Sequence, residues 1–354
     1  MSEMLRVGVV GCGIGQLHVR AYESLPDQFE VVAICDLDQD RAHEVATAHD
    51  IPRVFTDLAE LCRADDLDVI DICTPSYLHT SQVQQVLAAG KHAVCEKPVA
   101  SSLQEVDALM SAEARSGKRV MPIFQYRFGH GVQKLKCLIE EGIAGRAFLA
   151  TVETAWRRRA DYYAVPWRGR WETELGGALV TLAIHAHDLL CYVLGPARSV
   201  FARTATLVNP IETEDCLSAS LEMADGSLAS LSVTTGSAVE VSRHRFCFSG
   251  LTAESNTQPY RNTADPWTFT ADSPELAEQI ERTLARFVPL PEGFVGQFYR
   301  FHQALQQGVE LPVTLADARA SLELITAVYH SAQTGQVVAL PIGQDHPKYA
   351  GWRP

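Results

Sequence analysis

Between residues 5 and 124 the chain repeats one pattern, a short and almost wholly apolar run followed by a longer amphipathic stretch. The apolar runs are LRVGVVG (5–11), FEVVAICD (29–36), RVF (53–55), LDVIDICTP (67–75), HAVC (92–95) and RVMPIF (119–124). Runs without polar alternation fit strands buried on both faces, as in a parallel sheet covered by helices. The stretches 15–26, 38–50, 57–63, 78–91 and 102–118 carry helical spacing with helix boundaries: Pro26 closes the first, Asp38 starts the second and Gly90 stops the fourth. This βα repetition predicts a doubly wound parallel sheet.

The texture changes after residue 122. Strand-like segments now follow one another at 147–158, 199–208, 216–226, 227–235 and 243–250, with a hairpin turn at Asp225-Gly226. The alternation in LSASLEM gives one buried and one wet face. Long helices fit 176–194 and 314–334, and the polar stretch 252–275 reads as a long loop. The expected division is a nucleotide-binding domain over 1–122 and an α+β domain over 123–354, an open antiparallel sheet with a few helices. The final HPKYAGWRP reads as a tail with exposed aromatics, docking on its own sheet or on a neighbouring subunit.

A chain of 354 residues exceeds one small core, in keeping with two domains. Lys+Arg 30 against Asp+Glu 43 gives a net charge of -13, which argues against nucleic acid or an anionic membrane as partner. Nine cysteines stand singly with no Cys-x-x-Cys, which points to reduced thiols in a cytoplasmic protein and away from a zinc site. MSEMLRVGVVGCG runs directly into the first strand, so no leader is expected, and no apolar stretch is long enough to span a membrane.

The first βα turn reads GVVGCGIGQLH. Gly11 and Gly13 permit a tight turn and the close approach of a pyrophosphate, which the following helix N-terminus favours through its free N–H groups and its dipole. The usual G-x-G-x-x-G spacing is altered: position 16 is Gln, and the third glycine comes one residue early, at Gly15. Asp36 ends the second strand, 25 residues after Gly11, where an acid binds ribose hydroxyls and repels a 2′-phosphate. NAD is therefore expected over NADP.

The run HAVC ends abruptly in Glu96-Lys97-Pro98. Proline holds the preceding residue extended, so Lys97 stands on a stiff bend at the carboxyl end of a strand, the edge at which open α/β sheets bind ligands. CTPSYLH followed by AGKHAVCEKP, then GGALVTLAIHAHDLLCYVLG (176–195) and ITAVYHSAQTGQVVALP (325–341), resemble the blocks of the glucose-fructose oxidoreductase / inositol dehydrogenase / rhizopine-catabolism (Gfo/Idh/MocA) family over nearly the whole chain. The resemblance implies a Rossmann domain followed by an open sheet that covers the nicotinamide. It implies hydride transfer between a sugar or cyclitol carbinol and NAD(P), and a homodimer or homotetramer paired through that sheet. It places Ile14, Thr74, Pro75, His79, Glu96 and Gln125 at the cofactor, with Gly11, Gly13, Gly15 and Asp36. It sets Lys97 beside the nicotinamide, where a cation stabilises developing alkoxide character on the reacting hydroxyl.

Alcohol oxidation needs a proton acceptor, and His185 matches the family's catalytic histidine. Four residues earlier, where the family often has Asp, stands Thr181, which cannot titrate in the working range, so that either His185 acts alone, or Thr181 only orients substrate, or the reaction differs from inositol-type oxidation. Asp188 shares a face with His185, and two roles stay open for it: orienting the imidazole or substrate, or a buried packing hydrogen bond. HAHD is no metal site, because a spacing of two does not converge on a helix. In RRRADYYAVPWRGRW, Trp167 and Arg168, with Tyr163, are matched to a sugar-facing segment, and Arg127 to the interdomain segment. The expected activity is NAD-dependent oxidation of a secondary hydroxyl of a cyclitol, sugar or sugar derivative. The alternatives are the same scaffold with retained NAD doing net glycoside cleavage or epimerisation, and a catalytically silent nucleotide-sensing partner protein.

Overall fold

The computed structural model describes residues 4–354, so the first three residues of the leader-free reading lie outside it. The chain forms two compact units. The first contains strands β1 (Leu5–Val10), β2 (Phe29–Cys35), β3 (Arg53–Phe55), β4 (Val69–Ile72), β5 (His92–Cys95) and β6 (Val120–Pro122). All pair in parallel, in the order β3-β2-β1-β4-β5-β6. This is the doubly wound order, and its switch point lies between β1 and β4. Val7, Val9, Ile70, Ile72 and Val94 are fully buried, as strands covered on both faces require. The helices start where their caps stand: Asp38 accepts from the Arg41 N–H, Asp57 from the Ala59 and Glu60 N–H groups, and Ser102 from the Glu105 N–H.

The first unit also takes back residues 294–319, which the expected boundary assigns to the second domain. The cause is an aromatic and polar stripe on helix Gly293–Gln307. Phe298 stacks on Tyr22 with ring centroids 4.1 Å apart. Gln297 donates to the Pro122 carbonyl at 2.7 Å and accepts from the Phe124 N–H at 3.1 Å. Arg319 closes the segment on Asp107 at 2.7 Å.

The second unit holds β7 (Ala147–Arg157), β8 (Ala197–Ala205), β9 (Cys216–Met223), β10 (Leu228–Thr234), β11 (Gly236–Phe248), β12 (Leu251–Glu254), β13 (Thr268–Ala271) and β14 (Val338–Ala339). Their order is β13-β12-β11-β7-β10-β9-β8-β14. The sheet is antiparallel except for β7 and β10, which run parallel, so the expected antiparallel sheet is in fact mixed. A parallel neighbour needs a long crossover, and the chain between β7 and β10 supplies one through helix Ile184–Leu194, β8 and β9. The β9–β10 hairpin turns at Asp225-Gly226, with Gly226 at φ 86° and Asp225 Oδ1 accepting from the Ser227 N–H at 2.9 Å.

The stretch read as a loop over 252–275 contains most of β12 and all of β13, two short strands of which β13 is the sheet edge and exposes alternate residues. The expected helix 176–194 is broken into Ala178–Thr181 and Ile184–Leu194. The final segment is not an exposed tail: Trp352 is buried within this unit, and its Nε1 donates to the Leu175 carbonyl at 2.6 Å.

Candidate functional site

In the first unit β1 ends at Val10, and helix Gly15–Glu23 begins without any side-chain cap. Gly11 adopts φ 96°, and a Cβ there would lie 2.6 Å from the Cys73 carbonyl oxygen. Gly13 faces open space, and both it and Ile14 are exposed. A Cβ on Gly15 would come within 3.0 Å of Val9 Cγ1. Gly15 thus performs the close helix–strand packing assigned to the third glycine of the usual pattern, one position early. Asp36 shapes the turn directly: its Oδ2 accepts from the Cys12 N–H at 2.7 Å and its Oδ1 from the Asp38 N–H at 3.0 Å. Burial, reinforced by the Asp36 charge, pushes the Cys12 thiol up to about 12 and keeps it protonated. An uncapped helix terminus, a cradle closed to any Cβ and a carboxylate at the end of β2 together fit a dinucleotide.

The carboxyl ends of β4 and β5 are tied together beside this turn. His79 is buried, with Nε2 on the Thr74 carbonyl and Nδ1 on the Pro98 carbonyl, each at 2.8 Å. The Thr74 hydroxyl donates to Gln82 at 2.6 Å. Glu96 is also buried, and its Oε2 accepts from the Lys97 backbone N–H at 3.1 Å. His79 and Glu96, expected at the cofactor, thus also tie these strand ends together within the protein. Thr74, Pro75 and Lys97 keep partial exposure at the strand ends. Behind Glu96 lies a group that sequence reasoning misses. His18 Nε2 meets Glu96 Oε1 at 3.2 Å, and His18 Nδ1 meets Asp71 Oδ2 at 2.8 Å.

In the second unit, residues Gln125–Phe128 form a single helical turn. Gln125 Oε1 is buried with no hydrogen-bond partner among the described residues, the kind of atom a bound group satisfies. The Tyr126 ring stacks on His185 at 4.7 Å. Arg127 grips Asp188 with two bonds, Nε to Oδ2 at 2.8 Å and Nη2 to Oδ1 at 2.6 Å, and both residues are buried. That geometry is the packing role left open for Asp188. Because the helix breaks at 182–183, Thr181 and His185 stand on separate helices, and the Thr181 hydroxyl donates to the Gly177 carbonyl at 2.9 Å. His187 is fully buried, and burial pushes it down to about 3, so its ring is neutral.

The arginine-rich segment forms a stack. The Arg168 guanidinium lies 3.6 Å over the Tyr162 ring and 5.0 Å from that of Trp167. Arg158 covers Trp156, Tyr162 and Tyr260 and pairs with Glu240 at 2.6 Å. Burial, then the Glu174 charge, raises the Tyr163 phenol and keeps it neutral. Tyr126, Tyr260 and Arg158 were not singled out in the sequence. Arg158 lies in the quoted RRR run, but its neighbours come from distant strands.

Known proteins are similar to this chain in sequence and fold. Residues 5–124 match the family model described as an oxidoreductase family with an NAD-binding Rossmann fold, and residues 132–253 match the GFO/IDH/MocA C-terminal domain. The WlbA dehydrogenase of Bordetella pertussis, solved with NADH and UDP-GlcNAcA, superposes with a TM-score of 0.84 at 31% identity over 96% of this chain and 100% of that one. D-glucoside 3-dehydrogenase of Escherichia coli is 28% identical over 96% of this chain and 98% of its own. Oxidoreductase YrbE of Bacillus subtilis is 30% identical over 59% of this chain, and the match spans 60% of that protein's length.

Proposed function

The chain belongs to the Gfo/Idh/MocA family of NAD-binding oxidoreductases, and from that premise we propose that it oxidises a secondary hydroxyl of a cyclitol, sugar or sugar derivative. The observation that carries this reading is Lys97, held at the carboxyl end of β5 by the Glu96 carboxylate, in the unit that bears the dinucleotide turn. NAD, held at the Gly11–Gly15 turn and Asp36, would supply the acceptor for the hydride of the carbinol carbon. Lys97 donates a hydrogen bond to the reacting oxygen and stabilises its developing negative charge. His185, its ring fixed against Tyr126, takes the hydroxyl proton. Tyr163, Trp167, Arg168 and Thr181 contact the sugar; Asp188 serves through Arg127. The relatives act on or bind glucosides and nucleotide sugars by name, which supports a carbohydrate substrate.

We also propose that copies pair through the open face of the second unit's sheet. Its exposed positions include Leu149, Phe201 and Leu228. Among the described residues no helix is long and apolar enough to cross a membrane, and a cytoplasmic location is part of the proposal.

The test is absorbance at 340 nm with NAD⁺ across inositols, aldoses, amino sugars, uronic acids and glycosides. Turnover with one group defines the substrate class. Silence across the panel from protein that binds NAD moves the assignment to chemistry with a retained, recycling cofactor.

A further inference from the structure

His18 is an unexpected residue to find under a nucleotide turn. It is 0% exposed and covered by Phe294 and Phe298, with ring centroids 4.4 and 5.4 Å away. Its two nitrogens face two carboxylates, Asp71 at 2.8 Å and Glu96 at 3.2 Å. A carboxylate oxygen only accepts, so both ring nitrogens donate and the ring is an imidazolium. Cys73 Sγ lies 3.3 Å from Nδ1, and Tyr22 is buried on the same helix as His18. Burial raises both, so thiol and phenol stay neutral. Burial opposes the charge on His18, but the Asp71 carboxylate overrides it and raises the ring well above its ordinary value. His18, Asp71 and Cys73 hold donor atoms within 4.8 Å of one another, as metal ligands do, and two of these atoms, Nδ1 and Asp71 Oδ2, lie at hydrogen-bond distance from each other.

The network joins three strand ends. Asp71 and Cys73 belong to β4 and its exit, and the Cys73 carbonyl is the atom that closes the Gly11 cradle. Glu96 follows β5, and its second oxygen receives the Lys97 N–H. Three buried charges are expensive to desolvate, and an apolar cluster of the same volume would hold the fold as well. The arrangement does something an apolar cluster cannot, since it fixes the orientation and net charge of the carboxylate next to Lys97.

We propose that His18 is a positioning residue for Lys97, clamping Glu96 so that its second oxygen holds the lysine backbone and its charge beside the lysine is partly neutralised. The inference rests on the reading that Lys97 acts on the reacting hydroxyl. Two variants test it with opposite signs. His18→Gln removes the cation and leaves two uncompensated carboxylates, so the Lys97 ammonium titrates at higher pH. Glu96→Gln removes one carboxylate, so Lys97 titrates at lower pH, each shift being about half a unit or more.

The readout is the NMR titration of ¹³C-methylated lysines, with Lys97 assigned by its loss in Lys97→Arg. It is accompanied by NAD affinity from protein fluorescence and by kcat on the substrate found at 340 nm. The expected result is opposite shifts, a kcat lowered about tenfold or more in both variants, and NAD affinity within about twofold of the parent. An unmoved Lys97 titration in folded His18→Gln, or a loss confined to melting temperature and NAD affinity, overturns the proposal. If His18→Gln does not fold, an unmoved titration in Glu96→Gln overturns it alone. Full turnover in Lys97→Ala would instead sink the role of Lys97, while the titrations still decide whether His18 governs it.

Discussion

The Cys12 backbone N–H donates to Asp36 Oδ2 at 2.7 Å, so the residue proposed to select the ribose also shapes the glycine turn. Asp36→Ala is expected to raise the KM for NAD⁺ about tenfold and to improve the relative kcat/KM for NADP⁺, since a 2′-phosphate no longer meets a carboxylate. Initial rates with both cofactors check this. An unchanged ratio between them would mean that Asp36 serves only the turn.

Asp188 and Arg127 form a buried bidentate pair, at 2.6 and 2.8 Å. Asp188→Ala leaves a guanidinium buried without its partner and is expected to cost about 3–5 kcal/mol of stability. The double replacement Arg127→Met with Asp188→Leu costs much less, because no charge is stranded. Urea unfolding of the three proteins measures the difference, and comparable losses in single and double variants would contradict a stranded-charge account.

Glu214 accepts from the Gly177 and Leu179 N–H groups and from the Tyr329 hydroxyl, at 3.0, 2.9 and 2.8 Å. Burial nevertheless raises its carboxyl to about 7 from 4.5, the three hydrogen bonds opposing the shift only in part. Between these values the folded chain holds a proton that the unfolded chain has released. The contribution is therefore complete below about pH 4.5 and is lost as pH rises through about 7, amounting to about 3 kcal/mol over that span. Glu214→Gln removes this slope. Relative to the parent it should gain stability from pH 5 to pH 8, and parallel curves would contradict the assignment.

Trp352 anchors the segment that leads to Thr181 by donating to the Leu175 carbonyl, and Leu175 sits at φ 69°, a left-handed conformation uncommon for a side chain of its size. Trp352→Ala is expected to destabilise by about 3–5 kcal/mol through the cavity. Trp352→Phe keeps most of the ring and loses about 1–2 kcal/mol through the orphaned carbonyl. Thermal unfolding reads both, and equal losses would mean that the hydrogen bond contributes nothing.

The first unit was legible because strands such as β4 and β5 are mostly apolar and are followed within three residues by Pro75 and Pro98, so local sequence states both burial and boundary. Lys97 and the glycine turn followed from the same strand ends. The break before His185 was not legible, since no proline or glycine stands between Ala178 and His185; Glu214 and Tyr329, distant in sequence, hold the start of the first short helix at the Leu179 and Gly177 N–H groups. Helix Pro274–Leu284 carried a readable signal in Ser273-Pro274, a cap followed by proline at the first position, inside a stretch whose polarity masked it. Phe294, Phe298 and Phe301 are spaced as one helix face, but nothing local says which sheet that face joins. His18 is the extreme case: its partners lie 53 and 78 residues away, so only the fold brings them together.

The central claim is that Lys97 acts in the chemical step of an NAD-dependent alcohol oxidation. The most direct measurement is the steady-state rate at 340 nm of Lys97→Ala beside its NAD affinity, on the substrate that the panel identifies. The account predicts a kcat reduced by about a thousandfold with NAD affinity nearly unchanged, the pattern of a group whose interaction forms in the transition state. Turnover at the parent rate, or a loss explained wholly by weaker NAD binding, would contradict it.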